Sequence, residues 1–141
     1  MQAVPRDVDP MAFRLLMERA DNALQNRGMI MPGRGAAMAN WLLFSTSLGG
    51  QFFDTMRLAS ATETLINEPP RKRINRHGVA QWGDPVAPLT SVEHLFMRGV
   101  CQVRNNIVHG NKLDLNARDR KLVAGAHFVL EAAVSETGLL D

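Results

Sequence analysis

The first helix predicted by the spacing of apolar residues starts at Asp9 and Pro10. An aspartate followed by proline is typical of a helix N-terminus, because the carboxylate accepts a hydrogen bond from a free backbone N–H and proline has no N–H to leave unpaired. Apolar residues then recur every three or four positions, as one face of a helix requires. They are Phe13, Leu16, Met17, Ala20 and Leu24. Gly28 is the expected end of this helix.

A second helical pattern begins at Gly35. Its apolar positions continue in register across Gly49-Gly50 as far as Ile66. This pattern predicts one long helix of about 30 residues bent at the glycine pair, or two helices end to end. The helical segment is expected to end near Asn67, because Pro69-Pro70 cannot continue it.

Residues 68–89 are rich in proline and glycine and are predicted to form a loop. A connection of this length is unusual in a compact domain unless it has a function or moves. A short helix or a hairpin within it is left open.

Two further helices are predicted towards the C-terminus. Thr90 and Glu93 have the spacing of a capping box, and apolar residues carry this helix to Gly110. The last helix is expected over about residues 115–136. No alternating apolar and polar segment of useful length indicates a strand. The chain is therefore predicted to be all-α, a four- to five-helix up-and-down bundle that forms one domain over residues 1–141.

The composition is that of a globular chain. It has 141 residues, of which 45% are hydrophobic and 21% are charged, so it can bury a core and differs from a disordered chain. No apolar run approaches the roughly 20 residues of a membrane-spanning helix, and the first residues lack the apolar segment of a secretory signal. Cys101 is the single cysteine and is expected to be a small buried residue. We expect a protein of the reducing cytoplasm without a membrane partner.

Positive charge is concentrated in one segment of the predicted loop. The net charge is only +2, but Arg71, Lys72, Arg73 and Arg76 occur with no acidic residue between Pro69 and Gly83. Such a segment attracts phosphate groups, and Trp82 is near in sequence for stacking on a base. A solvated loop without any partner has the same composition, so both interpretations stay open.

The most informative pattern lies in residues 104–112, Arg-Asn-Asn-Ile-Val-His-Gly-Asn-Lys. Arg104 and His109 are separated by four residues where the third predicted helix ends. On a helical projection Arg104 falls on the flank of the apolar face, and a polar stripe falls opposite that face. The stripe consists of Arg98, Gln102, Asn105 and His109. Its amides and titratable imidazole are unusual for a solvated face, although Arg98, Gln102 and Asn106 are expected to be ordinary solvated residues.

Spacing alone does not distinguish this arginine–histidine pair. Arg71 and His77 show nearly the same separation, as do Arg120 and His127, and about one such match is expected by chance. Only Arg104 and His109 stand at a helix end with glycine after them. A cation near a helix C-terminus is stabilising without any catalytic role, so the residues by themselves leave both interpretations open.

The segment from Arg104 to Gly110 resembles the signature of the HEPN superfamily, R-x(4–6)-H, often with a polar residue such as Asn directly after the Arg. HEPN domains are small α-helical bundles of this length, with the motif near the end of a late helix and one more helix after it. The resemblance implies a HEPN-like bundle and a metal-independent endoribonuclease. It also implies a homodimer in which two motif helices face each other across a two-fold axis and form one composite RNA-cutting site.

The resemblance gives each site residue a role. His109 would take the 2′-OH proton or protonate the leaving 5′-oxygen, Arg104 would offset the negative charge of the phosphorane-like transition state, and Asn105 would orient His109 or the phosphate. The products would be a 2′,3′-cyclic phosphate and a 5′-hydroxyl, with no metal and no cofactor. The expected RNA-binding residues are Arg71, Lys72, Arg73, Arg76 and Lys112.

The biological setting implied by the resemblance is that of a toxin or defence effector. Such proteins are often neutralised by a nucleotidyltransferase-type antitoxin, which makes an antitoxin of that type a candidate partner. The chief alternative is a non-catalytic HEPN-like module that binds RNA or nucleotide, or that only dimerises. A third is a helical protein-interaction domain without a nucleic-acid role. Under any of these hypotheses, Trp41 and the phenylalanines are expected to form core or dimer interface.

Overall fold

The computed structural model describes residues 8–109 and 115–141, with His109 described by its backbone alone. Helix α1 covers Pro10–Asn26. The Asp9 carboxylate accepts a hydrogen bond from the Met11 N–H at 3.0 Å, so the predicted start is confirmed. The buried face consists of Phe13, Met17, Ala20 and Leu24. Gly28, with a positive φ of 80°, follows the helix end as expected.

The second predicted helix is divided into shorter ones. Helix α2 covers Trp41–Leu48 and helix α3 covers Gly50–Arg57. Gly49 between them has φ 84°, which no residue inside a right-handed helix adopts. The predicted break at the glycine pair is therefore confirmed, but α3 ends well before Asn67. The predicted start at Gly35 is wrong, because the Asn40 side chain caps α2 by accepting from the Leu43 N–H at 3.0 Å.

A 3₁₀ turn and a short helix complete this part of the chain. The turn covers Ser60–Thr62, and helix α4 covers Glu63–Asn67. Thr62 is fully buried, and its hydroxyl donates to the backbone oxygens of Met56 and Ala59. These hydrogen bonds satisfy carbonyl groups at and just after the end of α3, where both predicted alternatives have the helix continuing towards Asn67.

Residues 68–89 contain an antiparallel hairpin. Strand β1 covers Arg73–Arg76, and strand β2 covers Val79–Trp82. The two-residue turn between them has positive φ at both His77 (53°) and Gly78 (81°), as a type I′ turn requires. The described part of the chain is thus mostly helical with one small sheet, and the prediction of an entirely helical chain is corrected by this hairpin.

A continuous helical segment then runs through α5 (Val92–His94), a π-helical stretch (Leu95–Val100) and α6 (Cys101–His109). The cap is Ser91, whose hydroxyl accepts from the His94 N–H at 3.1 Å, and not Thr90 as predicted. A π-helix rotates less per residue than an α-helix. The helical projection is therefore valid within α6 but does not carry across to Arg98.

Helix α7 covers Ala117–Thr137, capped by Asn116 at its start and by Gly138 in the left-handed conformation at its end. These bounds agree with the predicted last helix to within about two residues. Its buried side chains face α1, α4 and the 3₁₀ turn. They include Leu122, Val123, Ala126, Val129, Leu130 and Ala133.

Aromatic rings form the centre of the core. The fully buried Phe96 ring has three aromatic neighbours, at centroid distances of 6.0 Å to Trp41, 5.9 Å to Phe44 and 6.1 Å to Phe52. This cluster joins α2, α3 and the π-helical stretch, and Phe128 on α7 is an exposed exception among the phenylalanines. Within the described ranges, no helix combines the length and apolarity needed to cross a membrane.

Candidate active site and nucleic-acid interface

Helix α6 is amphipathic, as the sequence predicts for the end of the third helix. Val103 is buried, Ile107 is partly buried and packs against the core, and Asn105 is exposed. The apolar side fixes the helix against the core. The polar residues of α6 consequently lie along two edges of the helix, one next to α1 and one next to the hairpin.

The α1 edge holds Arg104. Its guanidinium Nη1 lies 3.1 Å from Oδ2 and 3.5 Å from Oδ1 of Asp21 on α1, and its Nε donates to the Asn105 side-chain oxygen at 3.4 Å. The exposed fractions of the two ion-paired side chains are 27% and 26%. Arg104 is therefore held by the protein and is still accessible from solvent.

Asp21 is fixed in turn by the aromatic core. The indole N–H of Trp41 donates to Asp21 Oδ1 at 2.5 Å, and Trp41 itself is buried and stacked on Phe96. Sequence reasoning did not identify Asp21. The available signal was an acidic residue directly beside the apolar stripe of α1, four residues after Met17 and three before Leu24.

The hairpin edge of α6 is tied by two amide side chains. Gln102 Nε2 donates to the Asn106 side-chain oxygen at 2.9 Å, and Asn106 Nδ2 donates to the Arg71 backbone oxygen at 2.9 Å. The expectation that Gln102 and Asn106 are ordinary solvated residues is therefore wrong, because Asn106 connects the motif helix to the basic segment. Arg98 is exposed as expected.

The basic residues of the hairpin are all on the surface. Arg71, Lys72, Arg73 and Arg76 are exposed. The guanidinium of Arg73 lies 4.7 Å from the centre of the Trp82 ring, a cation–π distance, and these two residues are partners in the strand register. Trp82 is thus near the basic segment, as predicted, and its ring contacts Arg73.

A groove lies between the hairpin, α6 and the start of α7. Its apolar walls include Pro70, Val103 and Leu122, and Asn106 and Asp119 are among its polar residues. Arg118 beside it donates to the backbone oxygens of Glu68 and Pro69. These hydrogen bonds hold the segment that leads into the hairpin against α7.

The other two arginine–histidine spacings lie in different surroundings. His77 is in the exposed hairpin turn. His127 is partly buried in α7, and its Nδ1 lies 2.6 Å from Glu131 Oε1, so a carboxylate already engages its imidazole. Of the arginines in these three spacings, Arg104 is the one that lies near the end of a helix packed on the core and is held there by an ion pair.

Cys101 precedes Arg104 by one turn of α6. It is buried, and this burial raises the pKa of its thiol to about 12, more than the opposing effect of the nearby Arg104 charge. The group is a neutral thiol at physiological pH, and the expectation of a small buried residue is confirmed.

Two of the predicted site residues, His109 and Lys112, lie partly or wholly outside the residues that the structure describes. His109 is the last residue of α6, but its side chain and the whole of Lys112 lie outside the described residues. No protein-family model, no curated protein sequence and no solved structure matches the chain.

Proposed function

We propose that the protein is a metal-independent endoribonuclease of the HEPN type, with a site completed across a homodimer. The hydrogen bond from Asn106 to the Arg71 backbone oxygen is the observation that supports the proposal most directly. It joins an acid-free, basic hairpin to the helix that carries Arg104, Asn105 and His109. The phosphate-attracting segment is thereby fastened to the same helix that carries the proposed catalytic groups, on the edge opposite Arg104.

In the proposed reaction the 2′-OH of RNA attacks the neighbouring phosphate and expels the 5′-oxygen. His109 transfers the proton, as an imidazole can near neutral pH. Arg104 offsets the charge that develops on the phosphorane-like transition state. Asn105, exposed and in contact with Arg104 Nε, orients the phosphate. The products are a 2′,3′-cyclic phosphate and a 5′-hydroxyl.

The proposal is tested by RNA cleavage in the presence of EDTA. Wild type is expected to yield 2′,3′-cyclic phosphate ends, and Arg104→Ala and His109→Ala are each expected to lose at least about 100-fold in rate. Arg57→Ala is the matched control, because Arg57 is an exposed arginine paired only loosely with Asp54 at 3.9 Å. Equal cleavage by all four proteins, or by none, would contradict the proposal.

One observation favours a non-catalytic RNA-binding module instead. Arg104 is engaged by Asp21, as an arginine with a purely structural role would be. This alternative predicts that wild type shifts RNA in a gel without cutting it and that Arg104→Ala lowers the thermal stability. The two functions are therefore distinguished by whether the RNA in the same reaction mixture is cleaved or only bound.

A further inference from the structure

Asp21 and Arg104 form a partly exposed ion pair whose carboxylate is also held by the buried Trp41. Exposed ion pairs contribute little because both side chains must be immobilised to form them. Here the carboxylate is already immobilised by the Trp41 indole N–H at 2.5 Å, and the Trp41 ring is locked between Phe44 and Phe96. The position of the Arg104 guanidinium is therefore set by the aromatic core through Asp21.

The ion pair leaves part of the guanidinium available. Nη1 faces Asp21 and Nε faces Asn105, while Nη2 has no hydrogen-bond partner among the residues that the structure describes. A guanidinium carries five N–H donors in a rigid plane. It can hence donate to a carboxylate from one edge and to a phosphate from another.

We propose that Asp21 is a positioning residue that holds Arg104 in the orientation needed to contact the RNA phosphate. The inference rests on the proposed ribonuclease function. Asp21 itself does not contact the RNA. It acts by restricting a long, flexible side chain to one orientation, which reduces the cost of ordering that side chain at the transition state.

A purely electrostatic role for Asp21 predicts a different result from a positioning role. Removing a negative charge near a phosphate-binding surface strengthens RNA binding, so an electrostatic role would give Asp21→Asn a lower KM and an unchanged or higher kcat. A positioning role gives a lower kcat with KM unchanged or lower, because the alignment of Arg104 is lost while the phosphate-attracting surface is kept.

The test is steady-state cleavage of an RNA oligonucleotide by wild type, Asp21→Asn and Asp21→Glu. We expect kcat to fall by about 10- to 100-fold in Asp21→Asn and by less in Asp21→Glu, which keeps the charge but displaces the carboxylate by one methylene. Asp54→Asn is the control, because Asp54 forms the loose exposed pair with Arg57 and should leave kcat unchanged. If Asp21→Asn does not fold, a reduced kcat in Asp21→Glu supports the proposal, and a wild-type kcat overturns it.

The outcomes separate the two proposals. Cleavage that is lost in Arg104→Ala but has a wild-type kcat in both Asp21 variants would overturn the positioning role and leave the ribonuclease function standing. An increase in KM without a decrease in kcat would also overturn the positioning role. Absence of cleavage by wild type would overturn the ribonuclease function and the inference that rests on it.

Discussion

Gly125 sets the distance between α7 and the chain segment before α4. A Cβ atom added there would lie 3.0 Å from the Ala61 backbone oxygen and 3.1 Å from the Leu65 Cβ, both closer than normal contacts. The nearer atom belongs to the backbone, so relief requires a shift of the 3₁₀ turn relative to α7. A single absent methyl group thus decides how closely two core elements approach.

Gly125→Ala is expected to destabilise the fold by about 1–3 kcal/mol, because overpacking outweighs the better helix propensity of alanine. Urea unfolding followed by circular dichroism measures this. Gly50→Ala is the matched control, since nothing lies within 4 Å of its added Cβ and its φ is not positive. That control should be neutral or slightly stabilising, and an equally stable Gly125→Ala would contradict the expectation.

At the scale of elements, the hairpin is the part of the fold that bears most directly on the proposed RNA binding. The two cations in the hairpin and the two directly before it are exposed. The base of the hairpin is fastened to α6 by Asn106 and to α7 through the segment that Arg118 holds. Arg73 differs from the other three, because its guanidinium is stacked on Trp82. Arg76, beside the turn, is the cleaner probe of phosphate binding.

Arg76→Ala is expected to weaken RNA binding and to reduce the slope of log Kobs against log salt concentration by about 0.7, the value for one phosphate contact on a single strand. Fluorescence anisotropy with a labelled oligonucleotide at several salt concentrations measures both quantities. Arg57→Ala, an exposed arginine on α3, should change neither. An unchanged slope for Arg76→Ala would remove the hairpin from the RNA interface.

At the scale of the whole molecule, the proposed composite site would need a second copy of the chain. The outer surface of α6 presents Asn105 and Val108, the latter 43% exposed, beside the proposed catalytic residues. An exposed apolar residue next to polar groups suits a self-complementary interface across a two-fold axis. The proposed homodimer therefore places Val108 at or near the contact between the two motif helices.

Val108→Asp is expected to shift the protein from dimer to monomer in multi-angle light scattering and to abolish RNA cleavage in parallel, because two like charges would face each other near the axis. Leu58→Asp introduces the same charge at a residue that is 83% exposed elsewhere and should alter neither property. Full cleavage by a strict monomer would contradict the composite site.

Elements whose signals are local could be predicted from the sequence. The Asp9-Pro10 start, the apolar stripe of α1 and the extent of α7 follow from capping and from periodicity, which depend on neighbours within one helical turn. The helix carrying Arg104 follows for the same reason, whereas the burial of Cys101 was expected from its residue type and from the lack of partners for a catalytic thiol. These features could be predicted because no distant residue is needed to specify them.

Contacts between residues far apart in the chain became known only from the folded structure. The sequence does not decide whether residues 68–89 contain a hairpin, because the exposed strands lack an alternating apolar pattern. The π-helical stretch likewise has no characteristic spacing of apolar residues. Asp21 and Arg104 are 83 positions apart, and Asn106 and Arg71 are 35 apart, so packing of the core had to bring each pair together. Sequence periodicity indicates which face of a helix is polar, but only the packed molecule determines which partner each polar side chain meets.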